Sequence, residues 1–205
     1  MKVRDEKASV WTLPNRLSVI RILFIPVIII LISTEYEELL FASCLLFIIA
    51  GITDGLDGYM ARKMSMTTKL GLYLDPIADK LLVSSVLITL TYYRMVPLWV
   101  TIILVAREFI INGLRSFYAV EGITIYPSFY GKLKTTLQII GIACILFNSP
   151  MHKLDAAVHQ TGLIILYLAL FFSIYSAVHY VAAIFRSTDT KEKDGSGVGG
   201  RGSDS

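Results

Sequence analysis

The chain has 205 residues, 55% of them hydrophobic, with a mean hydropathy of +0.64 and a formal net charge of +3. Soluble domains are about 45–50% apolar, so a water-soluble globular fold is disfavoured, and so small a charge gives no ground for a nucleic-acid partner. Cys44 and Cys144 each lie inside an apolar run; without a pairing pattern they exclude a disulfide framework or cysteine zinc site and read as small buried hydrophobes.

In chain order, Met1–Trp11 is polar and lacks the apolar region and cleavage site of a signal peptide. Residues 1–16 are expected to form a cytoplasmic or interfacial segment. Within it Val3–Trp11 would be a short helix, with Trp11 and Leu13 towards lipid and Arg4 and Lys7 towards headgroups. A membrane span needs about 20 mostly apolar residues. Six segments qualify: Leu17–Ser33, Leu39–Tyr59, Gly71–Tyr93, Val96–Phe117, Leu133–Asn148 and Thr161–Phe185. The expected fold is therefore an all-α integral membrane domain of six transmembrane helices over 17–186. Residues 187–205 are Gly/Ser-rich and charged, and are expected to be a disordered tail, in part a vector-derived remnant.

Basic residues orient the spans. Lys2, Arg4, Lys7 and Arg16 precede the first, Arg62, Lys63 and Lys69 follow the second, Lys132 and Lys134 open the fifth, and Arg186, Lys191 and Lys193 follow the sixth. The alternate connections carry few. By the positive-inside rule both termini are cytoplasmic in a multi-pass protein of the cell membrane.

Five carboxylates break the apolar pattern: Asp54, Asp57, Asp75, Asp79 and Glu108. Each costs at least ~2.5–3.5 kcal/mol at a helix centre, which makes it a functional-site candidate. Asp54 and Asp57 are three apart at the end of the second span; Asp75 and Asp79 are four apart at the start of the third. Each pair shares a helix face, and the short connection suggests that the two helices are antiparallel neighbours. Four such charges repel unless cations hold them. Oxygen-only donors suit hard divalent ions, and two metals suit displacement at phosphorus. A proton or ion relay is the rival reading, though transporter sites usually lie at the midplane in repeated, broken helices.

Asp54-Gly-Leu-Asp57-Gly58-Tyr-Met-Ala61-Arg62, eight residues, then Gly71-Leu-Tyr-Leu-Asp75-Pro-Ile-Ala-Asp79 resembles the signature of the CDP-alcohol phosphatidyltransferases. Every fixed position of D-x-x-D-G-x-x-A-R…G-x-x-x-D-x-x-x-D is filled. Asn15-Arg-Leu-Ser18-Val-Ile-Arg21 with Pro26, Arg107-Glu108-Phe with Leu114-Arg115, and Gly131-Lys132-Leu-Lys134-Thr135 with Gln138 are similar to elements of the phosphatidylglycerophosphate synthase branch, Ser18 replacing the usual Thr.

The resemblance implies a six-helix fold with a cavity open to the cytoplasm, usually a homodimer, two Mg2+ or Mn2+ ions, and CDP-diacylglycerol as donor. It assigns Asp54, Asp57, Asp75 and Asp79 to the metals and makes Asp79 the base. Gly58, Ala61, Arg62 and Gly71 are then expected at the donor nucleotide. Arg107, Arg115, Lys132 and Lys134 are the expected ligands of the phosphate of an acceptor such as glycerol 3-phosphate, supported by Asn15, Arg21, Glu108, Thr135 and Gln138. A sibling enzyme using inositol phosphate or phosphatidylglycerol, or an ion carrier, is the alternative. His152, His159 and His179 read as surface or packing residues.

Overall fold

The computed structural model describes residues 13–34, 36–64, 69–120, 129–147 and 156–196, without the side chains of 13–16, 37, 54–64, 69–76, 119–120, 129–130, 156 and 185–196. Among the described residues the chain is all-helical. Its six helices are α1 (Leu13–Ser33), α2 (Glu37–Met64), α3 (Lys69–Tyr92), α4 (Leu98–Val120), α5 (Phe129–Phe147) and α6 (Ala156–Ser196). Each of the six apolar segments expected from the sequence corresponds to one helix, with Tyr93 just beyond α3 and Val96 and Pro97 just before α4. The interfacial segment Val3–Trp11 lies outside the described residues, and α1 begins at Leu13 with Pro14 in its first turn, where no backbone N–H is needed.

Two of these boundaries differ from expectation. α6 continues through Ser196, into the segment expected to be disordered, while 197–205 lie outside the described residues. Extending an existing helix is far cheaper than nucleating one. Among the described residues, Ala157–Ile184 alone is long and apolar enough to cross a membrane by length and composition; Leu17–Ser33 and Glu38–Thr53 are shorter apolar stretches. α3, α4 and α5 each carry charge in one half: Asp79 and Lys80, Arg107 to Arg115, and Lys132 to Lys134.

The helices close into a ring. α1 packs on α2 and α3, α2 on α5, α5 on α6, α6 on α4, and α4 on α3. The sequence suggests that α2 and α3 are neighbours; the two helices touch, and α1 packs on both of them more extensively. Tyr93 at the end of α3 donates its hydroxyl to the Ser33 carbonyl at the end of α1 (3.4 Å), and Phe41 near the start of α2 meets Phe147 at the end of α5. The charged halves of α3, α4 and α5 therefore gather at the opposite end of the bundle.

The seam between α5 and α6 is the tightest. A Cβ on Gly162 would sit 2.8 Å from Ile145 Cγ1 and 3.1 Å from the Gly141 carbonyl oxygen, so two glycines face each other where the helix backbones touch. At the turn out of α3, Arg94 has a φ of 59°. Its N–H bonds to the Thr91 carbonyl (3.0 Å) and that of Met95 to the Leu90 carbonyl (2.9 Å), a Schellman cap with buried Leu90 and Met95 as its apolar contact.

Large apolar side chains lie on the outside as well as in the core, and several polar ones are buried. Leu23, Ile30, Phe41, Ile52, Ile88, Ile102, Ile110, Ile140, Phe171 and Val178 are exposed, whereas Ser18, Arg21, Ser43, Thr101, Lys134, Ser173 and Ser176 are buried. All six helices present such an apolar outer face. A surface of this kind fits contact with lipid. Hydroxyls near it are satisfied within their own helix, as with Thr53 to the Ile49 carbonyl and Thr161 to the Ala157 carbonyl.

Candidate active site

The charged halves of α3, α4 and α5 meet at Glu108. Its Oε1 lies 3.2 Å from Lys80 Nζ on α3, and its Oε2 accepts hydrogen bonds from Lys134 Nζ on α5 and, at 3.3 Å, from Arg107 Nη1. Asn112, one turn on along α4, donates Nδ2 to the Glu108 carbonyl at 2.7 Å and leans on Oε1 at 3.4 Å. The carboxylate is thus held from three directions, with 22% of its side chain exposed against 7% for Lys134 and 10% for Arg107. Ion pairs this enclosed are much stronger than surface pairs once the cost of desolvation has been met. α5 reaches α4 here through long side chains across the interior of the ring, since the two helices are not ring neighbours.

Lys80 also approaches Asp79, with Nζ 3.6 Å from Oδ2. Asp79, Lys80, Val83, Ser84, Leu104, Val105, Glu108, Thr135 and Gln138 line one cleft, whose cavity volume of about 20 Å³ has room for a water molecule rather than a phosphate. Thr135 spends its hydroxyl proton on the Gly131 carbonyl (3.2 Å) and so offers the cleft an oxygen. Arg107 Nε is buried without a hydrogen-bond partner, a donor left over for an anion.

The structure thus brings together Asp79, Arg107, Glu108, Lys134, Thr135 and Gln138 of the residues singled out from the sequence. It sets two others apart. Lys132 is exposed: two residues from Lys134 on a helix, it points to a different side of α5. Arg115 is exposed, two turns beyond Arg107, with its guanidinium 5.7 Å from the centre of the Tyr180 ring on α6. Arg21 is buried at 3% exposure and donates Nε to the Ala50 carbonyl (3.3 Å), one turn before Asp54 on α2.

Asp54, Asp57, Gly58, Ala61 and Arg62 fall on α2, Gly71 and Asp75 on α3 and Asn15 on α1; their side chains lie outside the described residues. The helical backbone keeps Asp75 and Asp79 one turn apart on α3. Lys80 and Asn112 were not singled out from the sequence, although Lys80 stands in an apolar run as anomalously as the carboxylates do, and Asn112 follows Glu108 by four residues.

A family model described as CDP-alcohol phosphatidyltransferase matches residues 11–175. The chain is 35% identical over 193 residues to a protein of Bacillus subtilis (strain 168) named CDP-diacylglycerol–glycerol-3-phosphate 3-phosphatidyltransferase, covering 88% of this chain and 98% of that one. Proteins of the same name from Haemophilus influenzae (strain ATCC 51907 / DSM 11121 / KW20 / Rd) and Rickettsia typhi (strain ATCC VR-144 / Wilmington) are 36% and 39% identical, each over 83% of this chain and 92% and 96% of their own.

Proposed function

The chain belongs to the CDP-alcohol phosphatidyltransferase family, and from that premise we propose how its residues divide the work of one reaction. It is a transferase that moves the phosphatidyl group from CDP-diacylglycerol to glycerol 3-phosphate, giving phosphatidylglycerophosphate and CMP. A primary hydroxyl of glycerol 3-phosphate attacks the lipid-side phosphorus. The new P–O bond forms as the bond to CMP breaks, CMP leaves with the electron pair, and the hydroxyl proton passes to a carboxylate.

Asp79 is that base in this reading. The observation that carries the assignment is its place in one cleft with Glu108, Thr135 and Gln138, beside the cations Lys134 and Arg107. Those cations receive the acceptor's phosphate, with Arg107 Nε supplying the donor that nothing else uses. Arg115 and Lys132, exposed near the same end, draw the anion towards the mouth. Gly58, Ala61, Arg62 and Gly71 are assigned to the donor nucleotide, and Asn15 and Arg21 to support of the α1–α2 wall.

The donor set also suits divalent cations. Asp79 faces the cleft, Asp75 stands one turn before it on α3, and Asp54 and Asp57 stand near the end of α2, all hard oxygen donors. These four would hold two Mg2+ or Mn2+ ions, which when bound neutralise the diphosphate and the charge developing at phosphorus. The protein is assigned to the cell membrane as a homodimer of six-span subunits, with both termini and the site cytoplasmic. The basic connections and the apolar outer faces support that placement.

Purified protein with CDP-diacylglycerol, magnesium and labelled acceptors tests the reading, scored for CMP and lipid product. Glycerol 3-phosphate should be consumed. No CMP with any alcohol refutes the transferase, and CMP with inositol phosphate but not glycerol 3-phosphate refutes the acceptor.

A further inference from the structure

We propose that Lys80 is a positioning residue for this transfer: its ammonium ties Asp79 to Glu108 and fixes the base at a set distance from the acceptor's phosphate site. The inference rests on the reading of Asp79 as the base. Lys80 Nζ lies 3.6 Å from Asp79 Oδ2 and 3.2 Å from Glu108 Oε1, joining carboxylates of two different helices. The three side chains are only 19–23% exposed, so the tie is less screened than a surface pair. Consecutive residues on a helix diverge by about 100°, so Lys80 must bend back towards Asp79 while it reaches α4. A surface lysine would be left free to wave in solvent.

An ammonium has three donors. That of Lys80 lies within ion-pair distance of both Asp79 and Glu108, and the remaining cations, Arg107 and Lys134, contact the other oxygen of Glu108. Sign alternates along the line Asp79, Lys80, Glu108, Lys134. The acceptor's phosphate belongs to the Lys134 and Arg107 end, whereas its attacking hydroxyl must reach Asp79 at the opposite end. Glycerol 3-phosphate holds phosphate and attacking hydroxyl at the two ends of a three-carbon chain, so the Lys80 bridge sets which length of acceptor is productive. Its loss should act on the chemical step more than on binding, because the phosphate ligands remain in place. A misplacement of about 1 Å costs on the order of a hundredfold in rate.

The test is steady-state kinetics of the full-length protein in detergent, with folding checked by gel filtration and helical circular dichroism. Lys80→Met is expected to lower kcat by roughly 10- to 100-fold, with KM for glycerol 3-phosphate and for CDP-diacylglycerol changed by less than about threefold. Lys80→Arg, which keeps the ionic tie, is expected to recover most of that loss. Should Lys80→Met fail to fold, Lys80→Gln carries the same expectation. A neutral variant with wild-type kcat overturns the proposal. So does a KM for glycerol 3-phosphate raised tenfold at unchanged kcat, which would make Lys80 a phosphate ligand. Equal losses in the arginine and neutral variants also overturn it, because charge at this position would then be irrelevant. Wild-type protein that releases no CMP defeats the transferase reading itself; a working wild type with an indifferent Lys80 defeats only this inference.

Discussion

Glu108→Gln removes the carboxylate that Lys80, Arg107 and Lys134 share, and its cost can be worked from the geometry. Lys80 and Arg107 stand 3.2 and 3.3 Å from its oxygens and Lys134 donates to it directly, with the Lys134 side chain only 7% exposed. Unit charges about 4 Å apart interact by about 4 kcal/mol at an effective dielectric of 20. Removing one partner of a buried pair costs about 3–5 kcal/mol, because the remaining charge stays enclosed. Glu108 is 22% exposed, so the lower end, about 3 kcal/mol, is expected. At about 2–4 °C per kcal/mol for a chain of this size, Tm should fall by about 6–12 °C. Thermal unfolding in detergent reads this, with Lys134→Gln and the double variant completing a cycle. With Lys134 neutral there is less stranded charge, so the double should be less destabilised than the sum of the singles by about 1–3 kcal/mol. Additive losses, or a Glu108→Gln Tm within about 2 °C of wild type, would refute the electrostatic account of the cluster.

Asp79→Asn and Asp75→Asn should each abolish CMP release while gel filtration still shows folded protein; full turnover in either removes that residue from the site. Gly162→Ala puts a methyl 2.8 Å from Ile145 Cγ1 and 3.1 Å from the Gly141 carbonyl, and should destabilise by about 1–3 kcal/mol in thermal unfolding. Gly113→Ala, which meets nothing within 4 Å on exposed α4, should instead gain about 0.5–1 kcal/mol. Arg94→Gly relieves a left-handed residue with φ 59°. That strain costs about 1–2 kcal/mol, and the glycine's extra unfolded-state entropy returns about 0.4–1 kcal/mol of it, so a rise in Tm of up to a few degrees is expected and a fall contradicts the cap.

The helices were legible because apolar run length is a local property, and each expected segment corresponds to one of α1 to α6. Their arrangement was not. Chain order and a short connection suggest that α2 and α3 are neighbours, and they do touch, but α1 packs on both of them more extensively; which helix fills a gap depends on surface shapes far apart in sequence. The Gly141–Gly162 contact shows the difficulty. Small residues announce a close approach, yet nothing in the sequence pairs these two across α5 and α6.

For the site, the carboxylates stood out because a charge inside an apolar segment is costly, and that criterion has no sign. Applied to cations it selects Lys80, between Asp79 and Leu81, and the structure shows why it is tolerated: two carboxylates face it. Lys132 and Lys134 illustrate the converse. They look equivalent in sequence, but two residues of helix turn one outward and the other into the ring, at 6% exposure. The inward lysine meets a carboxylate already contacted by two other cations, so this cluster of side chains carries one more cation than carboxylates. An apolar bundle does not retain surplus positive charge without an anion to meet it. In the proposed reading a phosphate on the acceptor supplies that anion, where a neutral alcohol would leave Arg107 Nε buried and unanswered, so a preference for a phosphorylated acceptor would reside in the charge balance of α3, α4 and α5.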